Sequence, residues 1–554
     1  MRNETLAKER WEKVPAALSK LGYKELRDAQ IPCVDRLFGG EDTFCILPTS
    51  GGKTLIGLMP TLVNEWRTVI FSPLIALMKD QVDGLCKKRV RAGMLNSSQS
   101  DTENWQELKD WDDGLTQVLY VAPERIANPQ FRNVMRQNPP DFVIVDEAHV
   151  MSKDAATFRP AYMACGDFIK DFKPKQVLAL TATATKEIVD DVKRILDRPD
   201  MVIERHYTPR LNLKLSGSWH TNQTEVWNEV VKLLRKIKGS AIVYCATVRN
   251  VIGLTDYITR CGIEATFYHG QITQPAVKDA NQDAFMSGRV RVMVATNAFG
   301  MGIDKADIEG IIHADPPSSV EAIAQETGRA ARDGRDAVCH MFTHPDGLRL
   351  QQFFWNMENP TPTVLRILMA RLKKYQDSDG QVFKTVDELL EGIQDDSAEG
   401  AMSYLVSTGV VERTKPTTKV VQIAINEDEF DKLTPKQQAL IAAVKDGGVE
   451  VDVTRAGNKI YSVDLAYLAA KTNVLPGTVS TTLKKLDKAG FITYVPPFTG
   501  KITKILRELT QEDMENAQKR RDREWSKVCD ARAYSTVADD KKQQFITEYF
   551  SREL

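Results

Sequence analysis

The chain has 554 residues, 42% hydrophobic and 27% charged, with a formal net charge of −1. Those figures exclude a disordered or fibrous protein, and they leave any nucleic-acid surface to a local patch, not to overall charge. The 8 cysteines form no CxxC pair, which argues against a disulfide framework or a zinc site and fits a reducing intracellular compartment.

The N-terminus, MRNETLAKERWEKV, lacks the apolar core of a signal peptide, and no apolar run is long enough for a membrane span. From Asp42 to about Leu196, short β-branched runs alternate with helical patterns, which predicts an open parallel sheet with helices on both faces. The first run, DTFCILP, leads into LPTSGGKT, Leu47 to Thr54, and then into a helical stretch. A glycine-rich turn between strand and helix lets backbone N–H groups close around phosphate oxygens. In this turn Thr49, Ser50, Gly51 and Gly52 are the cradle, Lys53 reaches the β- and γ-phosphates, and Thr54 ligates Mg²⁺. Leu47 stands where the general GxxxxGK[ST] pattern has its first glycine. Further strands are TVIFSP, QVLYVAP, DFVIVDEAH and QVLALTATA. Asp146 and Glu147 follow the run FVIV directly, at a strand end where such sheets bind ligands. Asp146 is assigned to the metal and Glu147 to the attacking water.

A second alternating region runs from about Asn212 to His344, with strands SAIVYC, EATFYH, VRVMVAT, IEGIIHA and AVCHMF and no phosphate loop. Gln325, Arg329 and Arg332 fall at i, i+4 and i+7, which predicts one shared helix face. Two guanidinium groups reaching across a cleft are suited to stabilising charge on a transferring phosphoryl group.

The segments LPTSGGKT, SPLIALMKDQV (72–82), YVAPERI (120–126), VDEAH (145–149), LTATAT (180–185), ATNAFGMGIDK (295–305) and QETGRAARDG (325–334) occur in the order seen in superfamily 2 helicases. Their wording resembles the RecQ family of DNA helicases over about residues 15–345. The resemblance implies that LGYKELRDAQ (21–30) reads adenine, with Tyr23 stacking on the base and Arg27 and Gln30 contacting it. A glutamine amide can hydrogen-bond the adenine edge in two places. After DEAH the family carries a loop that senses single-stranded DNA. Here Phe158, Arg159, Pro160 and Tyr162 match its end, while Asp154 and Ala156 replace its tryptophan and histidine. Aspartate neither stacks on a base nor attracts phosphate, so coupling to DNA is either weakened or carried by Phe158 and Arg159. Ala331 replaces the family's usual glycine, a change that a helix tolerates.

Beyond residue 345 the family's four-cysteine zinc subdomain is absent, and two winged-helix-like units are expected. The first closes with the hairpin VERTKPTTKVVQIAI and the second with the hairpin FITYVPPFTGKITKIL. Lys484 and Lys485 lie on a basic helix face of the second unit, suited to phosphates. Phe498 is expected at the tip of its hairpin, where some RecQ-like proteins use an aromatic to part strands. KKQQFITEYF (541–550) faintly resembles a helix of the missing subdomain.

The fold expected is therefore α/β: two tandem RecA-like parallel-sheet lobes (1–205 and 206–360), followed by an α+β winged-helix region. That region comprises units 361–428 and 429–508, with a charged helical tail at 509–554. The function expected is an ATP-dependent DNA helicase using ATP and Mg²⁺, without zinc, on single-stranded and forked duplex DNA, with 3′→5′ direction implied by the resemblance. Two alternatives remain open at this level. One is a nucleic-acid-stimulated ATPase that translocates without unwinding or acts on RNA; the other is a non-enzymatic winged-helix DNA-binding protein.

Overall fold

The computed structural model describes residues 3–48, 51–73, 75–152, 160–182, 184, 186–206, 209–300, 305–377, 379–415, 419–426, 432–453 and 458–552. It forms two units, Met1–Trp355 with Arg523–Leu554, and Asn356–Asp522.

In the first unit the short apolar runs become parallel strands. They are β1 (Thr43–Ile46), β2 (Thr68–Phe71), β3 (Ala92–Leu95), β4 (Val118–Val121), β5 (Phe142–Val145), β6 (Gln176–Thr181) and β7 (Val202–Arg205). They assemble in the order β3-β4-β2-β5-β6-β1-β7. The central strands are buried at every position because both faces are covered. In β5, Val143 and Val145 pack with Phe71, Trp111 and Phe168 on one face, while Phe142 and Ile144 pack with Phe38 and Met59 on the other. Fully burying each such side chain is worth about 1.5–3 kcal/mol.

A second parallel sheet follows: β8 (Leu213–Trp219), β9 (Ser240–Tyr244), β10 (Ala265–Tyr268), β11 (Val292–Ala295), β12 (Ile308–His313) and β13 (Ala337–Thr343), ordered β10-β11-β9-β12-β13-β8. The C-terminal segment completes this lobe. Tyr534, Ile546, Tyr549 and Phe550 join Leu213, Leu215 and Met341 in its core. Lys542 is fully buried there, donating to the Tyr534 carbonyl at 2.9 Å with its charge 4.5 Å from the centre of that ring. The charged tail thus has an apolar face, and residues 523–554 belong with the two parallel sheets.

The unit Asn356–Asp522 contains the antiparallel strands β14 (Gln381–Val382), β15 (Val411–Thr414), β16 (Val420–Ile425), β17 (Val449–Val453), β18 (Lys459–Asp464), β19 (Ile492–Val495) and β20 (Ile502–Ile505). Here both expected hairpins are overturned. β15 pairs not with β16 but with β20, with Val411 opposite Ile505 and Thr414 opposite Ile502. β16 pairs with β18 and β19. The sheets are β14-β20-β15 and β17-β18-β16-β19. Residues between β15 and β20 are therefore an insertion at the tip of a β-ribbon. The reason lies in packing. Val421, Ile423 and Ile425 of β16 bury into one core with Ile441, Leu468 and Leu483, whereas Val411 of β15 buries with Leu365, Leu372 and Leu405 in another.

Because Lys415 and Lys501 come next in the β15–β20 register, a two-residue Asn-Gly turn suits the gap. Replacing residues 416–500 by Asn-Gly is expected to leave one cooperative melting transition for the host unit, with its midpoint moved by only a few degrees. Loss of cooperative melting, followed by circular dichroism, would show that the ribbon depends on the insert.

Candidate active site

Neighbouring strands β2, β5, β6 and β1 bring the motifs together at their carboxyl ends. Lys53 opens the helix Lys53–Val63, and Gly52 before it has φ +73. A Cβ on Gly52 would lie 2.2 Å from Gln30 Nε2, so only glycine fits this turn. Lys53 Nζ stands 3.3 Å from Glu147 Oε1. Thr54 is half-buried on the same first turn.

The carboxylates sit in an unusual field. Burial, and then the charge of Glu147, push Asp146 up to about 6; the Ser72 hydroxyl and the Glu147 N–H both hydrogen-bond its carboxylate. Burial also acts to raise Glu147, but Lys53, then His149 and Arg329, bring it below the ordinary carboxylate range. Glu147 has φ +49, a left-handed backbone that holds its side chain at the end of β5. Its Oε2 is buried without a hydrogen bond; His149 Nδ1 is 3.3 Å away, and that nitrogen is bonded to Thr181 Oγ1 at 2.8 Å. Burial lowers the His149 pKa, favouring the neutral ring.

Arg329 belongs to the second lobe. It is 4% exposed, and its Nη1 donates to the Gly300 carbonyl. Its charge also acts on Glu147, as the smallest of the influences that lower that carboxylate. The expected shared helix face is corrected here. The helix Val320–Thr327 ends at Gly328, so Gln325 is helical while Arg329 and Arg332 lie in the turns beyond it. The expectation that Ala331 occupies a tolerant helix position also fails. Ala331 has φ +41, the left-handed region, where a non-glycine residue is held at a cost of roughly 1–2 kcal/mol.

Of the residues expected to read adenine, Gln30 is 1% exposed. Its Oε1 accepts from Arg27 N at 2.8 Å, and its Nε2 donates to the Gly51 and Gly52 carbonyls at 3.1 and 3.0 Å. Both N–H donors are thus engaged, and a two-point contact to an adenine edge requires their release. Tyr23 is 49% exposed with Lys88 Nζ 4.8 Å from its ring centre. Arg27 is exposed. Ser72, Thr181 and Arg210 were not singled out from the sequence, although Ser72 and Thr181 lie inside quoted motifs. Thr49, Ser50, Thr183, Thr185, Phe158, Arg159 and residues 301–304 lie outside the described residues.

In the unit Asn356–Asp522, Lys484 and Lys485 are exposed on the helix Pro476–Lys488. Phe498 is not at a hairpin tip, because β19 and β20 do not pair with each other. It lies between them, half-buried, its ring edge-on to Phe383 with centroids 5.9 Å apart. The exposed wedge expected from the sequence is therefore absent.

Residues 27–192 match the DEAD/DEAH box helicase family, and residues 225–334 match the helicase conserved C-terminal domain. The ATP-dependent DNA helicase RecQ of Bacillus subtilis (strain 168) is 34% identical over 335 residues, covering 60% of this chain and 56% of that protein. The probable ATP-dependent DNA helicase RecS of the same organism is 32% identical over 367 residues, covering 66% of this chain and 73% of that protein. The chain belongs to the RecQ-like helicases of superfamily 2. This RecQ-like chain spans 56% of the B. subtilis RecQ and 51% of the Pasteurella multocida (strain Pm70) RecQ, so a good part of those proteins has no counterpart in the match. Among solved structures, the DUF1998 helicase MrfA bound to DNA shares the fold with a TM-score of 0.50 at 17% identity, covering 73% of this chain and 61% of that one.

The Lys53–Glu147 pair of the RecQ-like site leaves 12% and 20% of the two side chains exposed. Lys53→Met strands a mostly buried carboxylate. It is expected to cost on the order of 2–3 kcal/mol of stability at neutral pH, a little under a fully buried pair. Lys53→Met/Glu147→Gln should recover most of that loss in chemical denaturation; equal stability of wild type and Lys53→Met would remove the pair as a stabilising contact.

Proposed function

We propose that this chain is an ATP-dependent DNA helicase that hydrolyses ATP between its two parallel-sheet lobes and moves along single-stranded DNA. The observation that carries the reading is the Lys53–Glu147 pair at the carboxyl end of β5, with the charge of Arg329 from the second lobe acting on the same carboxylate. The residues present fit a magnesium nucleotide. A glycine turn at a helix start offers N–H groups to phosphate. A buried carboxylate oxygen lacks a hydrogen bond, and Asp146 is held at a raised pKa that a nearby cation would relieve.

In this reading Gly51, Gly52 and Lys53 bind the phosphates together with Thr49 and Ser50. Thr54 and Asp146 hold Mg²⁺, and Glu147 orients and deprotonates water. Arg329 and Arg332 stabilise negative charge on the transferring group, with Gln325 beside them. Tyr23, Arg27 and Gln30 select adenine. Bound ATP supplies the phosphoanhydride whose cleavage drives the cycle. The lobes then alternate between closed and open, and DNA crossing both is ratcheted along, 3′→5′ as in the family it resembles.

For the unit Asn356–Asp522 we read two winged helices, one inserted into the wing of the other. The support is three helices beside each small antiparallel sheet. The helix Pro476–Lys488 presents Lys484 and Lys485 to solvent with no ion pair among the described residues, which suits phosphate contacts.

An ATPase assay with and without single-stranded DNA, beside an unwinding assay, tests the whole reading. Hydrolysis stimulated by DNA together with unwinding is expected. Stimulation without unwinding would favour a translocase, and DNA binding without hydrolysis a non-enzymatic role. Glu147→Gln is expected to bind ATP yet turn it over at least about 100-fold more slowly. Arg329→Ala or Arg332→Ala should keep nucleotide affinity while turnover falls by about 10³-fold or more. Normal turnover in any of the three removes that residue from the chemistry.

If the two lysines meet phosphates, Lys484→Ala/Lys485→Ala lowers DNA affinity irrespective of sequence. The slope of log affinity against log salt should flatten by roughly 2. An unchanged slope, measured by fluorescence anisotropy over a salt series, takes this helix off the DNA.

A further inference from the structure

The turn that carries Arg329 and Arg332 is not held by its own lobe alone. It follows the helix Val320–Thr327 and includes Ala331 in the left-handed region. Such a conformation in a buried alanine persists only where neighbours fix it. On one side the Ala331 N–H donates to the Ile308 carbonyl of β12 at 2.8 Å. On the other side the bonds come from the segment joining the two sheets, between Arg205 at the end of β7 and Leu213 at the start of β8. From that segment Arg210 Nη1 donates to the Gly328 carbonyl at 3.1 Å, and Nη2 donates to the Ala331 carbonyl. Asn212 Nδ2 donates to the Ala331 carbonyl at 3.3 Å and to the Arg335 carbonyl at 2.7 Å.

These four bonds reach three carbonyls, and those carbonyls bracket both arginines. Gly328 precedes Arg329, Ala331 precedes Arg332, and Arg335 closes the turn. A planar guanidinium with two parallel N–H donors suits two carbonyls of one tight turn; a lysine ammonium is a single point and does not hold both in one plane. Arg210 is half-buried, and Arg332 lies close enough for its like charge to act on it. Like-charge repulsion is a cost here, and the backbone carbonyls that Arg210 engages offset it.

We propose that Arg210, supported by Asn212, is a positioning residue for ATP hydrolysis: by clamping the turn 328–335 it sets Arg329 and Arg332 for the cleft and ties them to the link between the lobes. This role rests on the reading of those two arginines as groups that act on phosphate. The consequence is mechanical. Arg210 and Asn212, which lead into β8, and the arginine turn are joined by hydrogen bonds, so a shift of that segment is felt where the arginines stand.

The test is a mutant cycle on the full chain, read by steady-state ATP turnover, nucleotide affinity from a fluorescent ATP analogue, and melting temperature. Wild type without ATPase activity defeats the functional reading itself, separately from this inference. With active wild type, Arg210→Ala is expected to lower kcat about 10- to 100-fold. Nucleotide affinity should stay within about threefold, and melting within a few degrees. Arg210→Lys should recover little of the loss. Asn212→Ala, the milder change, should lower kcat about 3- to 10-fold. In the Arg329→Ala/Arg332→Ala background, single-turnover hydrolysis should fall by no more than about twofold when Arg210→Ala is added, because the clamp then has nothing to position. Unchanged kcat in Arg210→Ala, parallel losses of affinity and melting temperature in both Arg210→Ala and Asn212→Ala, or a full additional loss in the arginine-less background would each overturn the role.

Discussion

Two adjacent carboxylates at the buried end of β5 are the constraint around which the first unit is arranged. Two negative charges side by side in a low-dielectric setting repel, and each also loses hydration. The chain answers with Lys53 at the start of the next-but-one strand's helix, with the Ser72 hydroxyl after β2, and with His149 and Thr181 between. The strands supplying these groups are neighbours, β2-β5-β6-β1, so the parallel sheet itself delivers them to one edge. Even so the compensation is incomplete. Asp146 stays raised and Glu147 keeps one oxygen without a hydrogen bond. A site left in that state favours a cation and a polar ligand over closure on itself.

The second lobe has the same layered sheet but contributes charge in a different way. Among its described residues there is no glycine cradle at a helix start. Its Arg329 is almost wholly buried and fixed by the Gly300 carbonyl, and its effect on Glu147 crosses from one lobe to the other. A group whose electrostatic partner lies in the other lobe ties the charge balance of Glu147 to the placement of both lobes. The strained backbone at Ala331 belongs to the same device. Its energy is met by bonds from β12 and from the inter-lobe link, not by helix formation.

The sequence was most legible where the information is local. A glycine turn between an apolar run and a helical run, or two acids after FVIV, states its own geometry, and Lys53, Asp146 and Glu147 fall together as that pattern requires. It was least legible where geometry depends on partners distant along the chain. Spacing at i, i+4 and i+7 marks a helix face only while the helix continues, and here Gly328 ends it, leaving Arg329 and Arg332 on a turn. The two expected hairpins failed for a related reason. TKPTTK and PPFTGK have the composition of turns, but composition does not name the strand's partner, and β15 and β20 find each other across the whole insert. Arg210 was invisible because its partners are backbone carbonyls, which leave no mark in side-chain patterns.

Insertion occurs twice in this chain, and both times the entry and exit points are neighbours. At Trp355 and Arg523 the chain leaves and rejoins the parallel-sheet unit, and there Trp355 packs on Trp525 with ring centroids 4.5 Å apart. At Thr414 and Ile502 it leaves and rejoins the β15–β20 ribbon as a directly opposed pair. That adjacency decides whether the ribbon is stable. Closing it over roughly 87 flexible residues would cost about 3 kcal/mol more than closing it over two, from the logarithmic growth of loop entropy. A short ribbon of four residues per strand gains too little from its own pairs to absorb that, since each cross-strand pair is worth only about 0.2–1 kcal/mol. The insert removes the penalty by folding on its own core of Ile423, Ile441, Leu468 and Leu483, with β16 and β19 side by side so that its two ends emerge together. Its folded state therefore acts as the ribbon's turn, and the pairing of β16 with β19 inside the insert is the condition for the pairing of β15 with β20 outside it.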